Sequence, residues 1–158
     1  MKNISIITLN VGRMATFAKR DATFRHLRSL RADIICIQEH NCAETDRGAW
    51  ERHWGAKVLW SRHTATLLSS LFVCTHIRIG GEGRILQTDL SFNDTKNITI
   101  TNMYVPAQPG ERAHFLENFT GLQAHPWHLL VGDLNLFPDA ILDRCPEGRE
   151  RTLLPHWQ

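Results

Sequence analysis

Short apolar runs alternate with polar stretches along the chain and predict a mixed succession of strands and helices. The predicted strands cover residues 3–9, 34–37, 57–60, 66–73, 84–92, 97–104 and 128–132. The predicted helices cover residues 19–30, 43–54 and 110–123. Apolar spacings of three or four support the first and third helices, and Gly55 is a typical stop for the second. This order predicts one α/β domain with packed sheets and helices outside.

The first two predicted strands and the helix between them form a strand–helix–strand unit. Such units favour a right-handed crossover, which brings both strand ends to one rim of the sheet. The strand at 97–104 alternates isoleucine with threonine, with Ile98 and Ile100 on one face and Thr99 and Thr101 on the other. This alternation predicts a strand that is buried on one face only.

Polar residues stand at or just after the ends of four predicted strands. Asn10, Glu39 and Tyr104 stand at the ends of three of them, and Asp133 and Asn135 follow the fourth. Strands buried on both faces appear as continuous apolar runs and hold the groups at their ends rigidly. The pattern therefore predicts one polar pocket for a hard cation and a phosphate.

Each of these residues has a chemical role that suits such a pocket. Glu39 is the best metal ligand, because Mg²⁺ prefers carboxylate oxygen, water and substrate phosphate. Asp133 orients or deprotonates an attacking water, and Tyr104 offers a phenolic donor to the phosphate. Asn10 and Asn135 donate hydrogen bonds to phosphate oxygens without adding charge. Asp133 and Asn135 are two residues apart, so extended backbone would point both side chains to one face.

Taken singly, each motif also has a structural interpretation. A Gly-Asp-x-Asn stretch after a strand is a common turn, and a lone glutamate after a strand is often a helix cap or a surface group. The four motifs together, in this order and at strand ends, favour a functional site.

Composition narrows the class of protein. The chain has 158 residues, 42% of them apolar and 22% charged, which is typical of a soluble globular domain. A net charge of +2 excludes a polycationic nucleic-acid binder, so any basic surface must be local. No apolar run approaches the ~20 residues of a membrane span, and no secretory signal is evident. We therefore expect an intracellular protein with no membrane partner.

The cysteines and tryptophans have ordinary structural interpretations. Cys36 lies in a predicted strand and is expected to be a buried free thiol in a reducing compartment. A zinc site at Cys36, His40 and Cys42 is the alternative, but the spacing matches no usual zinc motif and a fourth ligand is absent. Packing is favoured over a base-stacking platform for three tryptophans, Trp50, Trp54 and Trp60.

The motifs resemble those of the endonuclease/exonuclease/phosphatase superfamily, and most closely the apurinic-type endonuclease domain of non-LTR (LINE-type) retrotransposons. The matching stretches are ITLNVGR, ADIICIQEH, NMYVPAQPGER, LLVGDLN and ILDR. The resemblance covers essentially the whole chain. It implies an α/β fold with a two-sheet sandwich flanked by helices, in four αββα layers.

The resemblance also implies a Mg²⁺-dependent phosphodiesterase, with Mn²⁺ as a substitute metal, that acts on DNA in the nucleus. It assigns catalysis to Tyr104, Asp133 and Asn135, metal binding to Glu39 and Asn10, and substrate binding to Asn10 and Asn135. No obligate protein partner is evident.

The sequence departs from the family pattern at three places. Gly12 stands where the family often has Asn or Asp, and 64–66 lack the glycine that usually opens a strand there. The family also ends with an Asp and then a Ser-Asp-His motif, for which the sequence has no match. The only late histidine, His156, has no Asp before it. We therefore expect residues 1–158 to be an endonuclease domain that lacks its C-terminal part and is impaired or inactive.

Two alternatives remain open at this point. The same fold could hydrolyse phosphate esters of lipids or nucleotides, because fold alone does not decide the substrate. The chain could also be a non-catalytic remnant.

Overall fold

The computed structural model describes residues 3–92, 96–119 and 127–136. They fall into two compact units. The first comprises 3–92, 96–104 and 127–133, and the second comprises 105–119 and 134–136. The prediction of a single domain over 1–158 stays a prediction. The ILDR stretch and His156 lie outside the described residues.

The first unit contains eight strands and two α-helices within its described residues. They are β1 (Ile6–Asn10), α1 (Phe17–Ser29), β2 (Ile34–Gln38), α2 (Arg47–Trp54), β3 (Val58–Trp60), β4 (Thr64–Leu68), β5 (Phe72–Gly80), β6 (Ile85–Phe92), β7 (Lys96–Tyr104) and β8 (His128–Asp133). Short 3₁₀ turns cover Glu44–Asp46 and Gly81–Gly83. The second unit contains α3 (Pro109–Glu117).

Two predicted elements differ from the structure. The strand expected at 66–73 is divided, because β4 ends at Leu68 and a turn closed by a hydrogen bond from Phe72 N to Ser69 O (3.3 Å) starts β5. β5 then continues to Gly80, seven residues beyond the predicted end of that strand. The third helix ends at Glu117 instead of at 123, and residues 120–126 are outside the described part.

The strands form two mixed sheets, ordered β1-β2-β4-β3 and β5-β6-β7-β8. β1 and β2 are parallel and place Asn10 opposite Gln38, which confirms the predicted strand–helix–strand unit. β7 and β8 are also parallel and place Tyr104 opposite Asp133. The other pairs are antiparallel.

Alternate side chains of β2 enter two different cores. Ile35 and Ile37 pack with α1 and α2, in a cluster that includes Phe24, Leu27 and Trp50. Ile34 and Cys36 face the second sheet, in a cluster that includes Leu86, Leu90 and Ile100. β2 is therefore buried on both faces, as its apolar run predicted. The prediction of an α/β fold with two packed sheets and helices is confirmed.

Two further predictions about the core are confirmed. Trp50 is buried, and Trp54 and Trp60 pack against the same cluster, so the packing interpretation is confirmed. Cys36 is a buried free thiol, and burial raises its pKa to about 12.

The expectation that β7 is buried on one face only is wrong, because Thr99 and Thr101 are also buried. Polar neighbours within the sheet accommodate them. Thr99 Oγ1 donates to Asp89 (2.8 Å), and Thr101 Oγ1 lies 2.8 Å from His128 Nε2.

None of the helices in the described ranges has the length and apolar content needed to cross a membrane.

Gly132 allows β8 to approach β7 immediately before Asp133. Its φ is +143°, and a Cβ at this position would lie 1.9 Å from the carbonyl oxygen of Met103. We expect Gly132→Ala to lower the free energy of unfolding by roughly 1–3 kcal/mol through backbone strain, with the steric clash adding to this. Urea denaturation followed by circular dichroism measures the change.

Gly48→Ala is the matched control for this substitution. Its Cβ would meet only the end of the Arg52 side chain, at 3.5 Å, and alanine favours the helix. Unchanged stability of Gly132→Ala relative to this control would contradict the close-approach role of Gly132.

Candidate functional site

Two buried amide side chains join the sheets beside the predicted site. Gln38 Nε2 of β2 donates to Asn102 Oδ1 of β7 (2.7 Å). Asn102 Nδ2 in turn donates to the carbonyl oxygens of Ile37 (3.2 Å) and Ala65 (3.0 Å) in the first sheet. Gln38 and Asn102 are 1% and 0% exposed, so these bonds satisfy polar groups that have no access to water.

The hydrogen bonds between Gln38 and Asn102, here called the amide bridge, also position Glu39 and Tyr104. Glu39 directly follows Gln38, and Tyr104 lies two residues after Asn102. Fixing the two amides therefore fixes the ends of β2 and β7 relative to each other. Sequence reasoning missed both amides, although a glutamine at the end of an otherwise apolar strand was an available signal.

Asn10 connects the two acidic residues of the site. Its Nδ2 donates to Glu39 Oε1 (3.0 Å) and to Asp133 Oδ2 (2.8 Å). Its Oδ1 accepts from the backbone N–H of Gly12 (2.9 Å), which fixes the orientation of the amide. One side chain at the end of β1 thus holds carboxylates from both sheets together.

Tyr104 is bound to the same carboxylate. Its hydroxyl donates to Glu39, and this bond, followed by the one from Asn10, lowers the pKa of Glu39. Burial, followed by the bond to Glu39, raises the pKa of Tyr104 to about 12. At neutral pH the pair therefore consists of an ionised Glu39 and a neutral phenol. The structure brings four of the five predicted site residues together, namely Asn10, Glu39, Tyr104 and Asp133.

The loops that carry the site contain unusual backbone conformations. Arg13, Glu39 and Asn41 have φ values of 58°, 55° and 53°, in the left-handed region that non-glycine residues rarely occupy. Backbone hydrogen bonds hold two of the three there: Arg13 N donates to Glu39 O (2.8 Å), and Glu39 N donates to His63 O (2.9 Å). Such conformations cost roughly 1–3 kcal/mol each and concentrate at functional sites.

The donor set fits a hard divalent cation. Glu39 and Asp133 bring two carboxylates to one amide, and no ion pair found among the described residues includes Glu39. Two neighbouring carboxylates repel each other, and a cation relieves this repulsion. Mg²⁺ and Mn²⁺ accept carboxylate oxygens and complete their shell with water and substrate phosphate.

Two other metal-binding hypotheses concern Asn10 and the segment from Cys36 to Cys42. Asn10 Oδ1 already accepts from Gly12, so only its second lone pair is available, and its role as a metal ligand stays a prediction. Nowhere in the described ranges do three or more His, Cys, Asp or Glu side chains form a metal-binding group, so the zinc alternative at Cys36, His40 and Cys42 gains no support.

A cavity of about 540 Å³ opens beside Glu39 and Tyr104. The basic side chains on its wall are Arg13, Arg62, His63 and Arg84. The guanidinium of Arg84 lies 5.1 Å from the centre of the Tyr104 ring, and the His63 ring lies 6.1 Å from it. Burial, and then Arg84 and Arg62, lower the pKa of His63. Sequence reasoning missed these four residues. Arg13 ends the ITLNVGR motif, in which Asn10 carries the chemical interpretation, and the other three stand in none of the quoted motifs.

Asn135 is described with the second unit. β8 ends at Asp133 and Asn135 has a φ of 48°, so the expectation of extended backbone from Asp133 to Asn135 is wrong. Asn135 Nδ2 donates to Val105 O (2.8 Å), and its carbonyl accepts from Arg112 Nη1 (2.9 Å). These contacts hold the segment before α3. The catalytic and substrate-binding roles of Asn135 stay predictions.

Comparison with known proteins identifies the fold. No protein-family model and no curated protein matches the sequence. Among solved structures, TDP2 from Caenorhabditis elegans matches with a TM-score of 0.61 and 18% identity, over 92% of this chain and 51% of that chain. An AP endonuclease from Archaeoglobus fulgidus matches with a TM-score of 0.62 and 19% identity, over 92% of this chain and 62% of that chain. The human Nocturnin catalytic domain matches with a TM-score of 0.59 and 15% identity, over 85% of this chain and 65% of that chain.

These likenesses show that the chain has the endonuclease/exonuclease/phosphatase-type fold. The superfamily resemblance of the motifs is therefore confirmed at the level of fold. The chain spans about half the length of the TDP2 structure.

Tyr104 is the only tyrosine in the sequence, so phenolate absorbance reports its ionisation alone. We expect a titration midpoint near 12 in the folded protein. Glu39→Gln should lower this midpoint toward the ordinary value of about 10, because it removes the negative charge that disfavours phenolate. Part of the increase should remain, since burial is the larger cause.

The same titration in urea supplies the unfolded reference. A folded midpoint equal to the urea value, or no change in Glu39→Gln, would contradict the pairing of Tyr104 with Glu39.

Proposed function

We propose that this chain is a divalent-metal-dependent phosphodiesterase domain of the LINE-type retrotransposon endonuclease kind, with DNA as its substrate. The observation that carries the proposal is the pairing of Glu39 and Asp133 through one Asn10 amide, beside a neutral Tyr104. The fold is compatible with nuclease chemistry, since an AP endonuclease shares it. A fold neighbour, TDP2 from D. rerio, was crystallised with a single-strand DNA product.

In this proposal the acidic pair serves two purposes. Glu39 holds Mg²⁺ or Mn²⁺, which when bound neutralises charge on the phosphoryl oxygens. Asp133 accepts a proton from the attacking water, which raises the nucleophilicity of that water. The Asn10 amide keeps the two carboxylates at a fixed separation, so that one can bind metal while the other faces the water.

Neutral donors complete the proposed site. The Tyr104 hydroxyl remains protonated at neutral pH and can donate to a phosphate oxygen once Glu39 is shared with a metal. Both N–H groups of the Asn10 amide bind carboxylates here, so Asn10 can donate to the phosphate only once the metal takes over one of those carboxylates. We assign Asn135 a donor role toward the same phosphate. Neutral donors suit a phosphodiester, because they stabilise its negative charge without displacing the cation.

The assignment to the LINE-type retrotransposon endonucleases rests on the sequence motifs. The same resemblance implies that the catalytic activity is reduced. The sequence has no match for the family's terminal Asp and Ser-Asp-His motifs. We therefore expect slow cleavage by this chain. A nuclear location follows from the same assignment.

A phosphate-ester hydrolase is the second candidate. A mannosyl-6-phosphatase from Bacteroides thetaiotaomicron shares the fold, and the net charge of +2 does not demand a polyanionic substrate. A panel of phosphomonoesters, phospholipid headgroups and DNA, each tested with Mg²⁺, separates the two candidates.

Nicking of supercoiled plasmid tests the proposed activity. We expect nicking by the wild-type chain with Mg²⁺ or Mn²⁺ and none with EDTA. Asp133→Asn should reduce the rate by about 10²–10⁴-fold, because it removes the general base. Glu39→Gln should abolish nicking at low metal concentration, because it removes the principal metal ligand.

Glu117→Gln, which changes an exposed carboxylate of α3, is the control and should nick at the wild-type rate. Absence of nicking at every Mg²⁺ and Mn²⁺ concentration would overturn the nuclease activity and leave the fold.

A further inference from the structure

We propose that the cavity beside Glu39 is a subsite for a nucleotide that flanks the cleaved phosphodiester, with Arg13, Arg62 and Arg84 binding the phosphate of that nucleotide. This inference rests on the proposed function, because it names the class of substrate for the same site. It requires a substrate with at least two phosphates, which excludes a simple phosphomonoester as the preferred ligand.

The charge of the cavity wall is the first argument. Three arginines and His63 line it, and Glu39 is the one carboxylate among the lining residues. No ion pair found in the described ranges includes Arg13, Arg62 or Arg84. The whole chain carries a net charge of only +2, so this wall is a local concentration of positive charge. Guanidinium groups repel one another unless an anion lies between them, and the planar guanidinium matches the geometry of phosphate oxygens.

The second argument is that the polypeptide brings Arg62 and Arg84 together by a specific close contact. Gly83 has a φ of +82°, and a Cβ there would lie 2.5 Å from Arg62 Cβ. Its carbonyl oxygen accepts from His63 N (3.0 Å) and lies 2.8 Å from the buried Ser61 hydroxyl. The turn at 61–63 is therefore anchored on the 3₁₀ turn that precedes Arg84.

Backbone hydrogen bonds also connect the arginines to the acidic site. Tyr104 N donates to Arg84 O (2.8 Å), and the Arg84 guanidinium lies over the Tyr104 ring. Arg13 N donates to Glu39 O (2.8 Å). The arginines come from three separate loops, yet each loop is attached to a residue of the proposed metal site or to its neighbour. This arrangement fixes the anion subsite relative to the scissile position before substrate binds.

The size of the cavity is the third argument. A single phosphate would fill only a small part of about 540 Å³, whereas a nucleotide with its sugar, base and phosphate would fill much more of it. The wall combines cationic groups with the His63 and Tyr104 rings, which offer contacts to a sugar or base. A strand of nucleic acid supplies both parts of this ligand.

Binding of a fluorescent single-stranded DNA oligonucleotide in EDTA tests the inference without requiring catalysis. We expect each of Arg62→Gln and Arg84→Gln to weaken binding about tenfold, the loss typical of one charge-assisted hydrogen bond. In the double variant, the slope of log affinity against log salt should fall by about 1.4, because each lost phosphate contact contributes about 0.7 on single strands.

Arg52→Gln is the matched control, since it removes the same charge from an exposed position on α2. It should leave the salt slope unchanged. A second probe, an oligonucleotide of the same sequence with a neutral methylphosphonate backbone, should bind wild type weakly and lose nothing further in the double variant. Circular dichroism and urea midpoints confirm that each variant is folded.

Wild-type affinity and salt slope in the double variant would overturn the inference, as would equal losses in the double variant and in Arg52→Gln. Arginine-dependent binding without any nicking would support the subsite and count against the proposed catalytic activity. Nicking that is independent of both arginines would support the proposed catalytic activity and overturn the proposed subsite.

Discussion

The amide pair Gln38–Asn102 is the interaction on which the arrangement of the site depends. It lies between the two sheets, where water cannot replace a lost partner. Leaving a buried amide or carbonyl unpaired costs roughly 1–3 kcal/mol, so the bridge strongly favours one alignment of β2 against β7. A shift of one residue along either strand would reverse the direction of each side chain and break the bridge. The alignment that keeps the bridge intact brings the ends of β2 and β7 to the same rim.

The remaining site follows from that alignment. β8 pairs with β7 in parallel, with Asp133 opposite Tyr104, so the position of β7 also determines that of Asp133. β1 pairs with β2 in parallel, which brings Asn10 within hydrogen-bonding distance of both carboxylates. The result is an acidic pair surrounded by neutral donors, with an arginine-lined cavity next to it. The acidic pair suits a cation and the arginines suit an anion, which is the combination a phosphodiester with its metal requires.

Part of this arrangement could be predicted from the sequence. The apolar runs identify the strands, and the polar residue after each run identifies Asn10, Glu39, Tyr104 and Asp133, because parallel strands bring their ends to one rim. Three features could not be predicted in this way. Arg13, Arg62 and Arg84 are far apart in sequence and meet only through loop contacts. The left-handed conformation of Glu39 is held by a hydrogen bond from its backbone N–H to the carbonyl oxygen of His63, which lies between β3 and β4.

The Gln38–Asn102 bridge is the third feature. Its partners are 64 residues apart. Each stands in a motif in which a later residue, Glu39 or Tyr104, carries the chemical interpretation. The error at Asn135 has a similar origin. The spacing from Asp133 assumes extended backbone, whereas the strand ends at Asp133 and a left-handed residue follows. Strand patterns report where apolar residues stop, but not the conformation of the residues beyond.

We propose that Glu39 holds a divalent cation and that Asp133 lies beside it, joined to Glu39 through the shared Asn10 amide. Calorimetric titration of the wild-type chain with Mn²⁺ tests it most directly, with Glu39→Gln, Asp133→Asn and the control Glu117→Gln in parallel. We expect one bound ion at millimolar metal or below and no detectable binding by Glu39→Gln, which lacks the metal ligand. Asp133→Asn should bind about 10–100-fold more weakly, because a group that orients the site through Asn10 is changed, and the control should bind as the wild type does. No binding by the wild type, or equal binding by all four proteins, would contradict it.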